Sequence, residues 1–142
     1  MAQLIDTNIL VYRVDPRFPE KQEIATKLLE KTVQNSECRI PHQAIIEFYA
    51  AAIRPLSGSG AALLTSSQAR EEVETLLLIS PILYPTENIL RLALYGVATF
   101  GLSWFDAHLW AYAEHYRCTI LYSEDFQHDR YYGSVRIVNP FI

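Results

Sequence analysis

The chain has 142 residues, 50% of them apolar and 20% charged, with 12 Lys and Arg against 16 Asp and Glu for a net charge of −4. At roughly 150 residues per domain, this length makes residues 1–142 a single domain with enough chain to bury a sizeable core. The apolar content excludes intrinsic disorder, and the acidity argues against a protein held on nucleic acid or membrane by bulk charge.

Cys38 and Cys118 are the two cysteines and show no C-x-x-C spacing. Neither a disulfide scaffold nor a cysteine zinc site is expected, and a reducing cytoplasm is the natural setting. The opening Met1-Ala2-Gln3-Leu4-Ile5-Asp6 has no basic region and meets an acid at once, so it does not read as a signal peptide. The longest uncharged stretch, Leu92 to Phe105, is too short for a bilayer span. A soluble protein with no membrane partner is expected.

In chain order, Gln3-Leu4-Ile5 reads as a short buried strand that stops at a polar turn, Asp6-Thr7-Asn8. From Pro19 to Val33, Ile24, Ala25, Leu28, Leu29 and Thr32 recur at helical spacing opposite a charged face, which predicts an amphipathic helix. Cys38-Arg39-Ile40 is a second strand, closed by Pro41. A helix follows from His42 to Arg54, ending near Pro55, and the Ser/Gly/Ala-rich stretch from Pro55 to Ser67 is a loop. Gln68 to Ile79 is a helix and Ile82-Leu83-Tyr84 a strand. Thr86 caps a helix to about Phe100, and Ser103 opens another to about Tyr116. Thr119 to Tyr122 and Val135 to Val138 are the last strands. Short apolar strands alternating with longer helices predict an α/β fold on a mostly parallel sheet with right-handed crossovers.

Four acids stand out from the solvated helix faces. Asp6 and Asp125 each follow a strand, where residues of open parallel sheets line the ligand crevice. Taken singly, each reads as a turn residue, for which Asp is favoured. Asp106 lies in Ser103-Trp104-Phe105-Asp106, the S-x-x-D form of a capping box, yet its neighbours are strongly apolar. Glu47 sits in Ile45-Ile46-Glu47-Phe48-Tyr49; by itself it reads as part of a polar stripe with Gln43 and Arg54. Taken together, they form a different pattern. Two unit charges about 5 Å apart repel by roughly 3 kcal/mol at an effective dielectric near 20. Four carboxylates packed over the strand ends must therefore take up protons or be held by a cation. All-oxygen ligation selects a hard divalent ion, Mg²⁺ or Mn²⁺, and such a site suits phosphoryl chemistry.

The segments carrying these acids resemble those of PIN domains. Leu4-Ile5-Asp6-Thr7-Asn8-Ile9-Leu10 is similar to the family's opening, Ile46-Glu47-Phe48-Tyr49 to its second acidic segment and Ser103-Trp104-Phe105-Asp106-Ala107 to its third. Leu121-Tyr122-Ser123-Glu124-Asp125-Phe126-Gln127 is similar to the fourth, and Val138-Asn139-Pro140-Phe141 to the ending of many members. Within the family the chain resembles the VapC-type ribonuclease toxins of toxin–antitoxin modules. Pro41-His42 departs from the Ser or Thr common near that helix start.

The resemblance implies a three-layer α/β/α fold with a central, mostly parallel sheet and a metal-dependent endoribonuclease. Asp6, Glu47, Asp106 and Asp125 match the acidic tetrad, which would bind one or two Mg²⁺ or Mn²⁺ ions. Thr7, Asn8 and Ser123 match flanking positions that orient the carboxylates. Water would attack an RNA phosphodiester in line, leaving a 5′-phosphate and a 3′-hydroxyl, with Glu47 positioning or deprotonating it. The resemblance further implies a homodimer and a small cognate antitoxin whose tail occupies the active-site groove.

Arg13 and Arg17, beyond the first motif, are candidate phosphate contacts, because a chain of net charge −4 must bind RNA through local arginines and the metal. Glu124 and Asp129 are further acids beside Asp125; a solvated loop accounts for Asp129. His42, His108, His115 and His128 lack paired ligand spacing and read as polar surface rather than zinc ligands. Tyr95, Trp104, Trp110, Tyr112 and Tyr116 fit core or dimer interface better than base-stacking platforms. Two rival readings remain. A phosphoacceptor signalling domain also gathers acids and Mg²⁺, but all three lysines, Lys21, Lys27 and Lys31, fall on one early helix. A catalytically silent PIN module is the other, against which the intact set of four acids counts.

Overall fold

The computed structural model describes residues 1–58 and 60–142. In chain order the elements are β1 (Gln3–Ile5), α1 (Thr7–Tyr12), α2 (Pro19–Gln34), β2 (Cys38–Pro41), α3 (His42–Ile53), α4 (Ser66–Ile79), β3 (Ile82–Leu83), α5 (Glu87–Phe100), α6 (Trp104–His115), β4 (Ile120–Tyr122), β5 (Tyr131–Tyr132) and β6 (Val135–Val138). The strands form one sheet in the order β3-β2-β1-β4-β6-β5, parallel except for β5, which runs antiparallel to β6. The expected α/β fold on a mostly parallel sheet is the one observed.

Strand alternation divides the core into two layers. Leu4 of β1 packs on one face with Leu121, Ile137 and the buried residues of α5 and α6. Ile5, the next residue, packs on the other face with Ile9, Leu10, Ala25, Ile40, Phe48 and Leu76, which come from α1, α2, β2, α3 and α4. The sheet is thus covered on both sides, giving three layers. Cys38 and Cys118 are free, buried, and on opposite faces.

Two elements were not foreseen. Asp6-Thr7-Asn8 is not a free polar turn but the start of α1, with Asp6 as its N-cap. Its β-branched residues favour helix weakly, and burial of Ile9 and Leu10 decides the conformation. The hairpin β5–β6 turns on Gly133, at φ 58°, and Ser134, and its two-residue first strand is too short to leave a period in the sequence.

Boundaries also moved for local reasons. α3 stops at Ile53 because Arg54 precedes Pro55 and is extended, so Arg54 does not share a helical face with Gln43 and Glu47. α4 starts at Ser66, two residues early, because Thr65 and Gln68 form a reciprocal capping box. Pro41 ends β2 as the extended N-cap of α3 rather than lying inside the helix. Ser59, in the Ser/Gly-rich loop, lies outside the described residues.

The α5–α6 contact is set by one small residue. A Cβ on Gly96 would lie 2.9 Å from Cε3 of Trp110. That ring is buried, packs edge-on against Phe100, and donates from Nε1 to the Tyr132 carbonyl at 2.9 Å, so it has no room to yield. Gly→Ala within a helix ordinarily stabilises by up to about 1 kcal/mol. Here overpacking dominates, and Gly96→Ala is expected to cost a net ~1–2 kcal/mol in urea denaturation; a gain in stability would contradict this packing.

Candidate active site

The sheet order reverses between β1 and β4: successive strands step from β1 to β2 and β3 on one side, and from β4 to β6 on the other. In open parallel sheets the crevice past the carboxyl ends at such a reversal is the usual ligand site. Register aligns its two sides. Ile5 lies opposite Tyr122, so Asp6 and Ser123 leave the sheet together.

Asp6 donates its N–H to the Tyr122 carbonyl at 3.1 Å. Its carboxylate is 2% exposed. Oδ1 accepts from the Thr7 N–H at 2.5 Å, while Oδ2 accepts from Ser123 Oγ at 2.6 Å and Asn8 Nδ2 at 3.3 Å. The same Asn8 amide donates to Asp125 Oδ2 at 3.1 Å, and Ser123 Oγ accepts from the Asp125 N–H at 3.1 Å. Asp6 and Asp125 are therefore tied together twice, once by an amide and once by a hydroxyl.

Glu47 arrives from the other direction, on α3, which packs against α1. Its Oε1 accepts from Gln43 Nε2 at 2.7 Å and its Oε2 from Thr7 Oγ1 at 3.4 Å. Gln43 Nε2 also reaches the Phe105 carbonyl at 3.3 Å, joining α3 to the start of α6. Asp106 is half-buried in the first turn of α6, where its N–H donates to the Ser103 cap at 3.2 Å and the helix dipole favours a negative charge.

Asp6 and Asp106 feel the carboxylates beside them. Burial pushes the Asp6 carboxyl up to about 7; donation from Ser123 and Thr7 opposes this, and the charges of Asp125 and Asp106 add to it. Asp106 is also raised, first by burial, with Ser103 opposing and the charges of Asp125 and Glu47 adding. In one respect the arrangement falls short of a finished metal centre. Among the described residues, no three His, Cys, Asp or Glu side chains are set closely enough to hold an ion as arranged.

The donor set nevertheless fits a hard cation. Every candidate donor is an oxygen, two of the carboxylates are raised by burial and by their neighbours, and Asn8 Oδ1 is buried with no hydrogen-bond partner. The partly positive N–H hydrogens of the Asn8 amide, which point at Asp6 and Asp125, stand where positive charge is needed.

Beside these residues a cleft of about 380 Å³ is lined by Asn8, Tyr12, Arg17, Phe18, Glu47 and Asp125, among others. Arg17 faces this cleft while paired with Asp15 through Nε at 2.9 Å and Nη2 at 2.8 Å, which holds the Asp15 carboxyl below its usual range. Arg13 turns towards α4, where Nη2 meets Glu72 at 2.6 Å. Asp129 pairs with Arg136 at the surface. The four histidines bond elsewhere: His108 to the Trp104 carbonyl, His115 to Asn88, His128 to the Asn139 N–H, while His42 lies against Tyr84.

The aromatic residues split. Trp110 and Tyr112 are core, whereas Trp104 and Tyr95 are exposed, as is Phe105 at 67%. Trp104 and Phe105 join Ile46 and Glu47 around a largely apolar groove of about 320 Å³ next to the carboxylates. Position within an amphipathic pattern could not distinguish these cases.

A model of the PIN domain matches residues 4–134. The chain belongs to the PIN-domain family. No curated protein matches it. Solved structures share the fold at low identity. A toxin–antitoxin complex from Klebsiella pneumoniae aligns at TM-score 0.67 and 17% identity, covering 98% of each chain. VapBC2 from Rickettsia felis, bound to a DNA fragment from its promoter, aligns at 0.68 and 14%, covering 96% of this chain and 97% of that one. VapC20 from Mycobacterium tuberculosis, a sarcin–ricin loop cleaving toxin, aligns at 0.62 and 14%, covering 87% and 90%.

Sequence reasoning missed two residues at the edge of this PIN-domain site. Tyr12 and Lys21 both bond Glu124, next to Asp125, and occupy both of its oxygens. Residues 103 positions apart leave no local signal of such a contact.

The raised Asp6 pKa fixes the sign of a pH effect. Because folding raises it from 3.8 to about 7, the protonated form favours the folded state. That stabilisation is complete below pH ~4 and is lost as pH rises to ~7, on the order of 4 kcal/mol in all. Metal-free protein should therefore lose Tm across this range, and Asp6→Asn should flatten the loss. A wild-type Tm that rises from pH 4 to 7 without metal would count against the burial of a strained carboxyl here.

Proposed function

We propose that this PIN domain, acting as one unit over residues 1–142, is a VapC-type toxin: a Mg²⁺- or Mn²⁺-dependent endoribonuclease working in the cytoplasm. The observation that carries the reading is the linkage of Asp6, Glu47 and Asp125 at the switch point through Thr7, Asn8 and Ser123, with the charge of Asp106 felt by Asp6. The fold likeness to a toxin–antitoxin complex and to a sarcin–ricin loop cleaving toxin supports it. Among the described residues no helix is long and apolar enough to cross a membrane.

Asp6, Asp106, Asp125 and Glu47 would hold the metal, which when bound neutralises phosphate charge and makes water a stronger acid. The chain's own groups do the rest. Thr7 and Gln43 fix Glu47 so that Oε2, bonded only at 3.4 Å, keeps capacity to accept a proton from the attacking water. Ser123 and Asn8 keep Asp6 and Asp125 in register. Arg17, in the cleft wall, meets RNA phosphate, offsetting the acids that would otherwise repel the backbone.

An antitoxin partner fits the apolar groove at Ile46, Trp104 and Phe105, whose occupation would cover Glu47. A homodimer fits α5, where Leu90, Leu94 and Val97 form an exposed stripe at i, i+4 and i+7. Leu94→Glu should then give a monomer in sedimentation; a wild-type chain already monomeric at micromolar concentration would remove the dimer.

The nuclease is tested with purified protein, a mixed RNA pool and excess Mg²⁺ or Mn²⁺. Asp6→Asn and Asp106→Asn should each lower kcat/KM by more than about 100-fold, beyond the typical cost of disturbing groups that merely support a metal site. EDTA should abolish cleavage. Activity that survives both EDTA and Asp6→Asn would rule out this mechanism.

A further inference from the structure

Glu124 precedes Asp125, and the sequence leaves open that it adds a ligand to the site. Its surroundings assign it elsewhere. Tyr12 Oη donates to Glu124 Oε1 at 2.6 Å, and Lys21 Nζ donates to Oε2 at 3.0 Å and to Tyr12 Oη at 3.1 Å. The three groups close a triangle that uses both carboxylate oxygens. Lys21 Nζ also lies 4.7 Å from the centre of the Tyr12 ring and 5.3 Å from that of Phe141, and the two rings meet edge-on at 5.0 Å. Phe141, the first helix and the second helix therefore converge on one side chain.

An isolated, partly exposed ion pair contributes little, because water competes with it. This one belongs to a network that crosses four segments, and its position gives it leverage. α1 grips residues 123–125 at two points: Asn8 near its start holds Asp125, and Tyr12 at its last residue holds Glu124. The inner grip is a single amide shared with Asp6, lying where positive charge would compete with it. The outer grip has both Glu124 oxygens already engaged, by Tyr12 and by the positive charge of Lys21.

We propose that Lys21 and Tyr12 are positioning residues that, by clasping Glu124, hold the Asp125 carboxylate against Asp6. Glu124 is a strut and not a cation ligand. The proposal rests on the metal-dependent reading above, and its test separates the two.

Wild type is compared with Lys21→Met, Lys21→Arg and Tyr12→Phe; the last removes one hydroxyl and keeps both ring contacts. Three quantities are read: amide hydrogen exchange without metal, Mn²⁺ half-saturation by electron paramagnetic resonance of the free ion, and kcat and KM on RNA. Lys21→Met and Tyr12→Phe should speed exchange at residues 123–126 while leaving β1 and α6 unchanged. Half-saturating Mn²⁺ should rise about tenfold, the lower end expected when a group supporting a ligand is lost. At fixed metal kcat should fall with KM nearly constant, and Lys21→Arg should recover most of the loss.

Wild-type exchange and wild-type Mn²⁺ affinity in both Lys21→Met and Tyr12→Phe would overturn the clasp. So would faster exchange spread over the whole chain, which marks global destabilisation. If the wild-type chain binds no Mn²⁺, the metal reading fails and exchange alone decides: acceleration confined to residues 123–126 sustains the clasp, and its absence refutes it.

Discussion

The architecture of the site depends on a carboxylate that solvation alone would keep at the surface. Asp6 is buried at the end of β1, where β1 and β4, two adjacent parallel strands, release their chains side by side. Three donors compensate its burial: the Thr7 N–H, the Ser123 hydroxyl and the Asn8 amide. Each donor is itself committed to the fold or to another acid. Thr7 opens α1 and reaches Glu47, Ser123 supports the Asp125 backbone, and Asn8 bridges to Asp125. The position of one carboxylate is thus transmitted to two others through short polar side chains.

The three donors do not fully offset the burial. The Asp6 carboxyl remains raised to about 7, and Asp106 is raised as well, because both feel desolvation and neighbouring negative charge. Such concentrations of strained charge are characteristic of functional sites. Under the proposed function, the same feature reconciles the acidic balance of the chain with a polyanionic substrate. Acidity here is local and organised, and the positive charge it lacks can come from a bound cation, with Arg17 in the adjacent cleft wall.

The sheet supplies rigidity where the site needs it. Core packing on both faces fixes β1 and β4, and α6 is buried on nearly all sides through Ala107, Leu109, Trp110, Ala111, Tyr112 and Ala113. Its first turn nonetheless emerges at the apolar groove, with Asp106 half-buried and Phe105 exposed. A helix anchored so completely at its centre can present a charged first turn without fraying. α1 has only six residues and is held by burial of Ile9 and Leu10 and by its Asp6 cap, so its geometry belongs to the site as much as to the fold.

Much of this was legible in the sequence. Helical periodicity marked α2 to α6, β-rich runs marked β1 to β4 and β6, and the alternation of the two implied a parallel sheet, because these patterns follow from burying one side of each element. The order of four acidic segments fixed the family resemblance. Periodicity could not mark α1 or β5, which are shorter than a reliable period and owe their form to what they pack against. It also could not tell exposed Trp104 from buried Trp110, since both lie on one helix that is apolar on nearly all sides. Composition and motif order thus determined the fold class and the candidate acids. Tertiary structure alone decided how those acids are held: the Asn8 bridge, the Ser123 support and the Lys21–Tyr12–Glu124 triangle join residues up to 117 positions apart. Such contacts arise from strand order and register, and a linear pattern has no means to record them.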